Sequence, residues 1–187
     1  MPFCFDIETL GKDSNAICLS ACLMSLPDGD FTYEELLNNN LFVKFNLKEQ
    51  RDLGRKADKD TVEWWKTQND HCKRVSLYPT ESDSSAEDGL DLLREYFKNN
   101  SKGKNDTNWI RGNLDGIVVD SLAAMIGVKE YAPWWCYRDV RTAVDILKES
   151  SDGRGYCKIP GFDVTKVIKH DPIHECAYDA MMLKYGV

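Results

Sequence analysis

Two acids stand one residue apart in the opening stretch MPFCFDIETLG, inside an otherwise apolar run: Asp6 and Glu8. In an extended chain they project from the same face. Close carboxylates repel unless a cation lies between them or one holds a proton, and a charge in a buried strand is costly without a partner. Hard divalent ions such as Mg²⁺ and Mn²⁺ take oxygen ligands of this kind. The plainer alternative is a solvent-facing strand bearing two inert acids.

Two later stretches offer further chemistry. In NWIRGNLDGIVVDSL, Asp115 opens a helix beside a strand end, where α/β sites gather. An Asp at a helix N-terminus also suits the dipole alone, and Asp120 competes with it. In KHDPIHECAYDAMML, His174 and Asp179 are five residues apart, about 500° of helix, so they do not share a helix face. Their pairing requires His174 on the loop before the helix and Asp179 on its inward side. His170 and Glu175 have the same spacing and form a rival frame. Pro172 restricts the residue before it, so the His170 segment reads as loop.

These residues need elements to hold them. Residues 3–8 alternate as a strand, and AICLSACLMSL (16–26) is a continuous apolar run of the buried-strand kind. PDGD (27–30) reads as a hairpin turn and LFVKFNL (41–47) as the third strand of a meander. Helices are expected at 59–68, from 82 to about 99 with Leu92, Leu93, Tyr96 and Phe97 as its stripe, at 114–128, at 140–150 and at 174–185. Short strands are expected at 108–112 and 134–139. Asp139 can cap the helix after it. A meander followed by alternating strands and helices predicts an α/β domain with a mixed sheet. The absence of GxGxxG after the first strand argues against a dinucleotide fold.

A chain of 187 residues suits one domain, taken as 1–187. The net charge of −7 argues against a surface built to coat DNA non-specifically. It leaves room for local basic patches: Lys98, Lys102 and Lys104; Lys166 and Lys169; Arg51, Arg55 and Lys56. The seven cysteines form no CxxC pair, so a zinc ribbon is not expected. No apolar stretch reaches membrane-spanning length, and no signal peptide is read. A cytoplasmic protein with reduced thiols is expected.

Taken together, the order of the signals is informative. DxE in a first strand, an Asp opening a mid-chain helix and a late HxxxxD resemble the DEDDh 3′–5′ exonucleases, which have a ribonuclease H-like fold. FDIETLG, TVEWWKTQ, YRDVRT and HECAYDA narrow the resemblance to the phage exodeoxyribonuclease A-like branch and the related small bacterial exoribonucleases. The resemblance implies two Mg²⁺ or Mn²⁺ ions held by Asp6, Glu8, Asp115 and Asp179, with His174 as general base. It implies removal of nucleoside 5′-monophosphates from the 3′ end of single-stranded DNA, with RNA as the alternative, in the host cytoplasm if the gene is a phage's. Thr9, Leu10 and Asn113 beside the acids, with Trp64 and Trp65, are the candidate substrate contacts. A non-cleaving binding domain of the same fold is the competing class. Oligomeric state is left open.

Overall fold

The computed structural model describes residues 2–187. Its centre is a five-stranded sheet in the order β3-β2-β1-β4-β5. The strands are β1 (Pro2–Thr9), β2 (Cys18–Ser25), β3 (Asn40–Lys44), β4 (Thr107–Ile110) and β5 (Tyr137–Asp139). β1, β2 and β3 are antiparallel, whereas β4 pairs parallel to β1 and β5 parallel to β4. This mixed sheet with helices on both faces is the expected α/β, ribonuclease H-like architecture. Every residue of β2 is buried, as its unbroken apolar run requires.

The period of two in β1 decides which layer each side chain enters. Phe3, Phe5 and Ile7 join a core with α5 (Ala86–Asn100) and α6 (Leu114–Ile126), through Leu90, Leu93, Phe97, Val118, Val119 and Leu122. Cys4 faces the opposite layer, beneath α1 (Tyr33–Leu37), α7 (Val140–Leu147) and α8 (Pro172–Tyr185). Asp6 and Glu8 share the parity of Cys4, so they too turn toward α8. A third cluster, Leu10, Ile17, Leu19, Trp65 and Cys72, closes the end of the sheet under α3 (Lys59–Thr67). Behind α3 come α4 (Asp70–Cys72) and a π-helical turn over Lys73–Leu77.

Several sequence expectations shift. The 27–30 turn does not close a hairpin; α1 intervenes before β3. Residues 46–47 leave the third strand, because Asn46 caps α2 (Leu47–Asp52) by accepting the Glu49 N–H. Trp134–Cys136 form a 3₁₀ turn, and only Tyr137–Asp139 pair as strand. On α5 the stripe runs through Leu90, and Leu92 is exposed. α5 approaches the sheet so closely that a Cβ on Gly89 would lie 2.4 Å from the Phe45 ring. The last helix begins at Pro172, two residues earlier than expected, with Asp171 as its cap.

Three residues of the basic stretches are spent on structure. Lys102 pairs with Asp28 and Lys166 with Glu34. Arg55 is buried and donates to the carbonyls of Ala16, Ser14 and Val118. All seven cysteines are buried and free. No helix among the described residues is long and apolar enough to cross a membrane.

Candidate active site

At the carboxyl end of β1 lies a cleft of about 680 Å³. Its walls include Asp6, Glu8 and Thr9 from β1, Thr61 and Trp64 from α3, Arg111, Gly112, Asn113 and Asp115 from the β4–α6 junction, Arg141 from α7, and His170 with Glu175 around the start of α8. The β1–β2 register shifts between Glu8 and Thr9. A bulge of this kind re-aims side chains at a strand end. The chain then turns at Thr9, whose hydroxyl donates to the Gly11 carbonyl at 2.6 Å. Gly112, at φ 85°, makes the left-handed turn from β4 into α6 that brings Asp115 to the cleft. Its N–H donates to Asp139 Oδ2 at 2.8 Å. The other oxygen of Asp139 caps α7 through the Thr142 N–H at 2.7 Å, as expected of that residue.

Asp6, Glu8 and Asp115 are buried. Burial, and after it the neighbouring carboxylates, raise Asp6 and Asp115 well above the usual range for an Asp. For Asp6 the largest neighbouring charge is Glu175, and for Asp115 it is Glu8. Burial raises Glu8 as well, while His170 beside it pulls the other way. Asp6 Oδ2 and Asp115 Oδ2 are buried without a hydrogen-bond partner. Orphaned buried carboxylate oxygens are rare in proteins and call for an explanation.

The two histidines of the last segment occupy different places. His170 lines the cleft. It is the sole non-glycine among the described residues with positive φ, at 62°, and such strain concentrates at functional sites. Its N–H donates to Glu175 Oε1 at 3.0 Å, and its Nδ1 lies 3.7 Å from Glu8 Oε1. That carboxylate raises the imidazole's proton affinity above its ordinary value. The Trp64 ring meets it edge-on, centroids 4.7 Å apart. His174 instead sits inside the first turn of α8, outside the cleft walls, with Nδ1 2.7 Å from the Tyr33 hydroxyl. Burial lowers its proton affinity.

Asp179 is also committed elsewhere. Arg111 Nε donates to both of its oxygens, at 3.0 and 3.2 Å, and Nη2 reinforces the pair. Arg111 is itself braced by the Gly155 carbonyl at 3.0 Å and by the Tyr156 ring, 4.4 Å beneath the guanidinium. Burial nonetheless raises Asp179 to about 6, against the pull of Arg111.

The remaining expectations divide. Thr9, Asn113 and Trp64 line the cleft. Leu10 and Trp65 do not; both pack in the third core, and Trp65 donates its indole N–H to the Thr9 carbonyl at 2.9 Å. Asp120 bonds the Tyr137 hydroxyl away from the cleft. Sequence reasoning missed Arg111, one residue beyond β4. It also missed the His71–Asp171 contact of 2.8 Å, which secures the residue after His170. Neither has a sequence signature, because each partner is distant along the chain.

Among the described residues, no three His, Cys, Asp or Glu side chains form a ready-made metal site. The donor chemistry still fits a hard divalent cation: all-oxygen, buried, mutually repelling, with two orphaned oxygens.

Residues 1–186 match the model of the 3′-5′ exoribonuclease Rv2179c-like domain, and the chain belongs to that family. It is also similar to the exodeoxyribonuclease of Enterobacteria phage T4, at 29% identity over 99% of this chain and 88% of the phage protein.

Proposed function

Starting from membership of the Rv2179c-like 3′-5′ exoribonuclease family, we propose that residues 1–187 act as one exonuclease domain. It shortens single-stranded nucleic acid from the 3′ end, with Asp6, Glu8, Asp115 and Glu175 as divalent-cation ligands and His170 as general base. The observation that carries this assignment is the cleft wall. It contains His170 and Glu175, whereas His174 bonds Tyr33 and Asp179 is held by Arg111. The rival HxxxxE frame is thereby preferred over His174 and Asp179. Glu differs from Asp by one methylene and offers the same oxygen donors.

In this reading Trp64 and Asn113 receive the terminal nucleotide, and the cleft orients its phosphodiester beside His170. Glu8 faces Nδ1 of His170, which leaves Nε2 to accept the proton of the attacking water. The water oxygen bonds to phosphorus while the bond to the neighbouring 3′ oxygen breaks, releasing a nucleoside 5′-monophosphate. Mg²⁺ or Mn²⁺ bound by the carboxylates would supply Lewis-acid stabilisation of the charge gathering on the phosphoryl oxygens.

Single variants separate the two frames. With Mn²⁺ and a labelled oligonucleotide, His170→Ala is expected to cut turnover by about 10²–10⁴-fold, the usual worth of a general base. His174→Ala should remain near wild type. The reverse result would restore the His174–Asp179 frame. No nucleotide release by wild type at any metal concentration would leave a non-cleaving binding domain. Deoxyribose is the favoured sugar, on similarity along nearly the whole chain to a phage exodeoxyribonuclease. The family's description favours ribose. Digesting matched DNA and RNA strands side by side decides between them.

A further inference from the structure

We propose that the part of the strand 5′ to the reacting end lies in a second groove that continues from the active cleft, with Arg138 and Arg141 holding its phosphates. This deepens the exonuclease reading and rests on it for which end of the strand enters the cleft. The groove, about 620 Å³, shares Gly112, Asn113 and Arg141 with the cleft and runs on past Arg138, Asp139 and Asp145. A chain whose 3′ end sits among the carboxylates therefore has a continuous path outward across the β4–α6 and β5–α7 junctions.

Two arginines and two acids line that path, and they differ in what they have left to offer a ligand. The acids accept hydrogen bonds from the protein itself. Asp139 accepts the Gly112 and Thr142 N–H groups at 2.8 and 2.7 Å. Asp145 accepts the Gly155 N–H at 2.9 Å and the Ser151 hydroxyl. The cations are not occupied in the same way: among the described residues, neither Arg138 nor Arg141 makes an ion pair. Arg138 donates to the peptide oxygens of Trp135 and Tyr137 at 2.8 and 2.7 Å. Those bonds orient the guanidinium without cancelling its charge, so its other donors remain available to phosphate.

The turn that leads into Arg138 adds an aromatic element. Trp134 and Trp135 are 75% and 53% exposed and meet edge-to-face, centroids 5.8 Å apart. Exposed rings near phosphate-binding arginines are what single-strand binders use to stack bases without reading sequence. In a protein of net charge −7, the unpaired guanidinium donors would give a strand local points of attachment on a surface that as a whole repels it.

The test is binding, measured with the full chain and chelator present so that metal-dependent cleavage is silent. A 5′-fluorescein twelve-nucleotide strand and a dinucleotide are compared by anisotropy across a salt series. Arg138→Ala should weaken the longer strand about tenfold, the worth of one charged hydrogen bond. It should reduce the slope of log affinity against log salt by about 0.7. Dinucleotide binding should be unchanged, and Arg138→Lys should recover part of the loss. Equal loss for both ligands, loss for neither, or a wild type that binds the longer strand no better than the dinucleotide overturns the groove. Strand shortening in Mn²⁺, followed separately, tests the exonuclease reading. If the strand binds through Arg138 and is never shortened, that reading fails and the groove stands. If it is shortened and Arg138 has no effect on binding, the groove fails and the reading stands.

Discussion

Glu175 and Asp179 lie four residues apart on α8, about 6 Å along its axis and nearly on one face. That one turn separates their surroundings. Glu175 reaches the open cleft, while Asp179 pairs with the guanidinium of Arg111; the side chains of Asp179 and Arg111 are 10% and 8% exposed. Removing one member of a buried ion pair strands the other, at a cost of about 3–5 kcal/mol. Asp179→Ala is therefore expected to unfold at clearly lower urea concentration. Glu175→Gln should keep wild-type stability and lose Mn²⁺-dependent hydrolysis. An Asp179→Ala protein as stable as wild type but inactive would return Asp179 to the ligand set.

At the scale of elements, α3 supplies part of the cleft wall and α4 serves the cleft from outside it. Adjacent positions on α3 point about 100° apart, so Trp65 is fully buried and Trp64 is 40% exposed at the cleft wall. Trp65→Ala should cost about 3–5 kcal/mol of stability. Trp64→Ala should change stability by no more than about 0.5 kcal/mol and weaken strand binding by about 1–3 kcal/mol if a base stacks there. Denaturant curves and anisotropy on the same two variants check both statements. α4 clamps the strained His170 loop: Cys72 Sγ donates to the Lys169 carbonyl at 2.8 Å and His71 holds Asp171. Asp171 in turn caps α8 through the Ile173 N–H at 3.1 Å. His71 is thus a positioning residue. His71→Ala should lower kcat with KM nearly unchanged, and His71→Gln, which still offers Asp171 an amide donor, should recover part of the rate. A change in KM alone would contradict this.

Over the whole molecule, the carboxylate cluster is a local instability built into a well-packed sheet. Asp6, Asp115 and Glu8 are all raised by burial, and His170 by Glu8. Asp179 is raised to about 6. Groups whose folded-state proton affinity exceeds the unfolded one contribute stability at low pH that is lost as pH rises through the folded value. From the Asp179 value, the metal-free protein should lose stability between about pH 4 and 6, before any acid unfolding below that window. Mn²⁺ should raise the melting temperature at pH 7.5 and flatten this dependence. Asp6→Asn, by removing one repelling charge, should raise the metal-free melting temperature and blunt the Mn²⁺ effect. Scanning calorimetry across pH, with and without Mn²⁺, measures all three. A metal-independent melting temperature would count against the cation site.

Local patterns were sufficient for much of this. The alternation of residues 3–8 put Asp6 and Glu8 on one face, the apolar run of 16–26 made a central strand, and the order of the acids pointed to an exonuclease family. These properties depend on side-chain period and on residue order, both of which can be read along the chain. The choice between two frames of equal spacing could not be made that way. The proposed preference for His170 and Glu175 rests on where α8 begins, which Asp171 and Pro172 set, and on Arg111 and Tyr33, which arrive from distant parts of the chain to occupy Asp179 and His174. Burial, pairing and charge neutralisation are properties of neighbours in space. Only the packed structure could separate a carboxylate spent on an arginine from one left facing an open cleft.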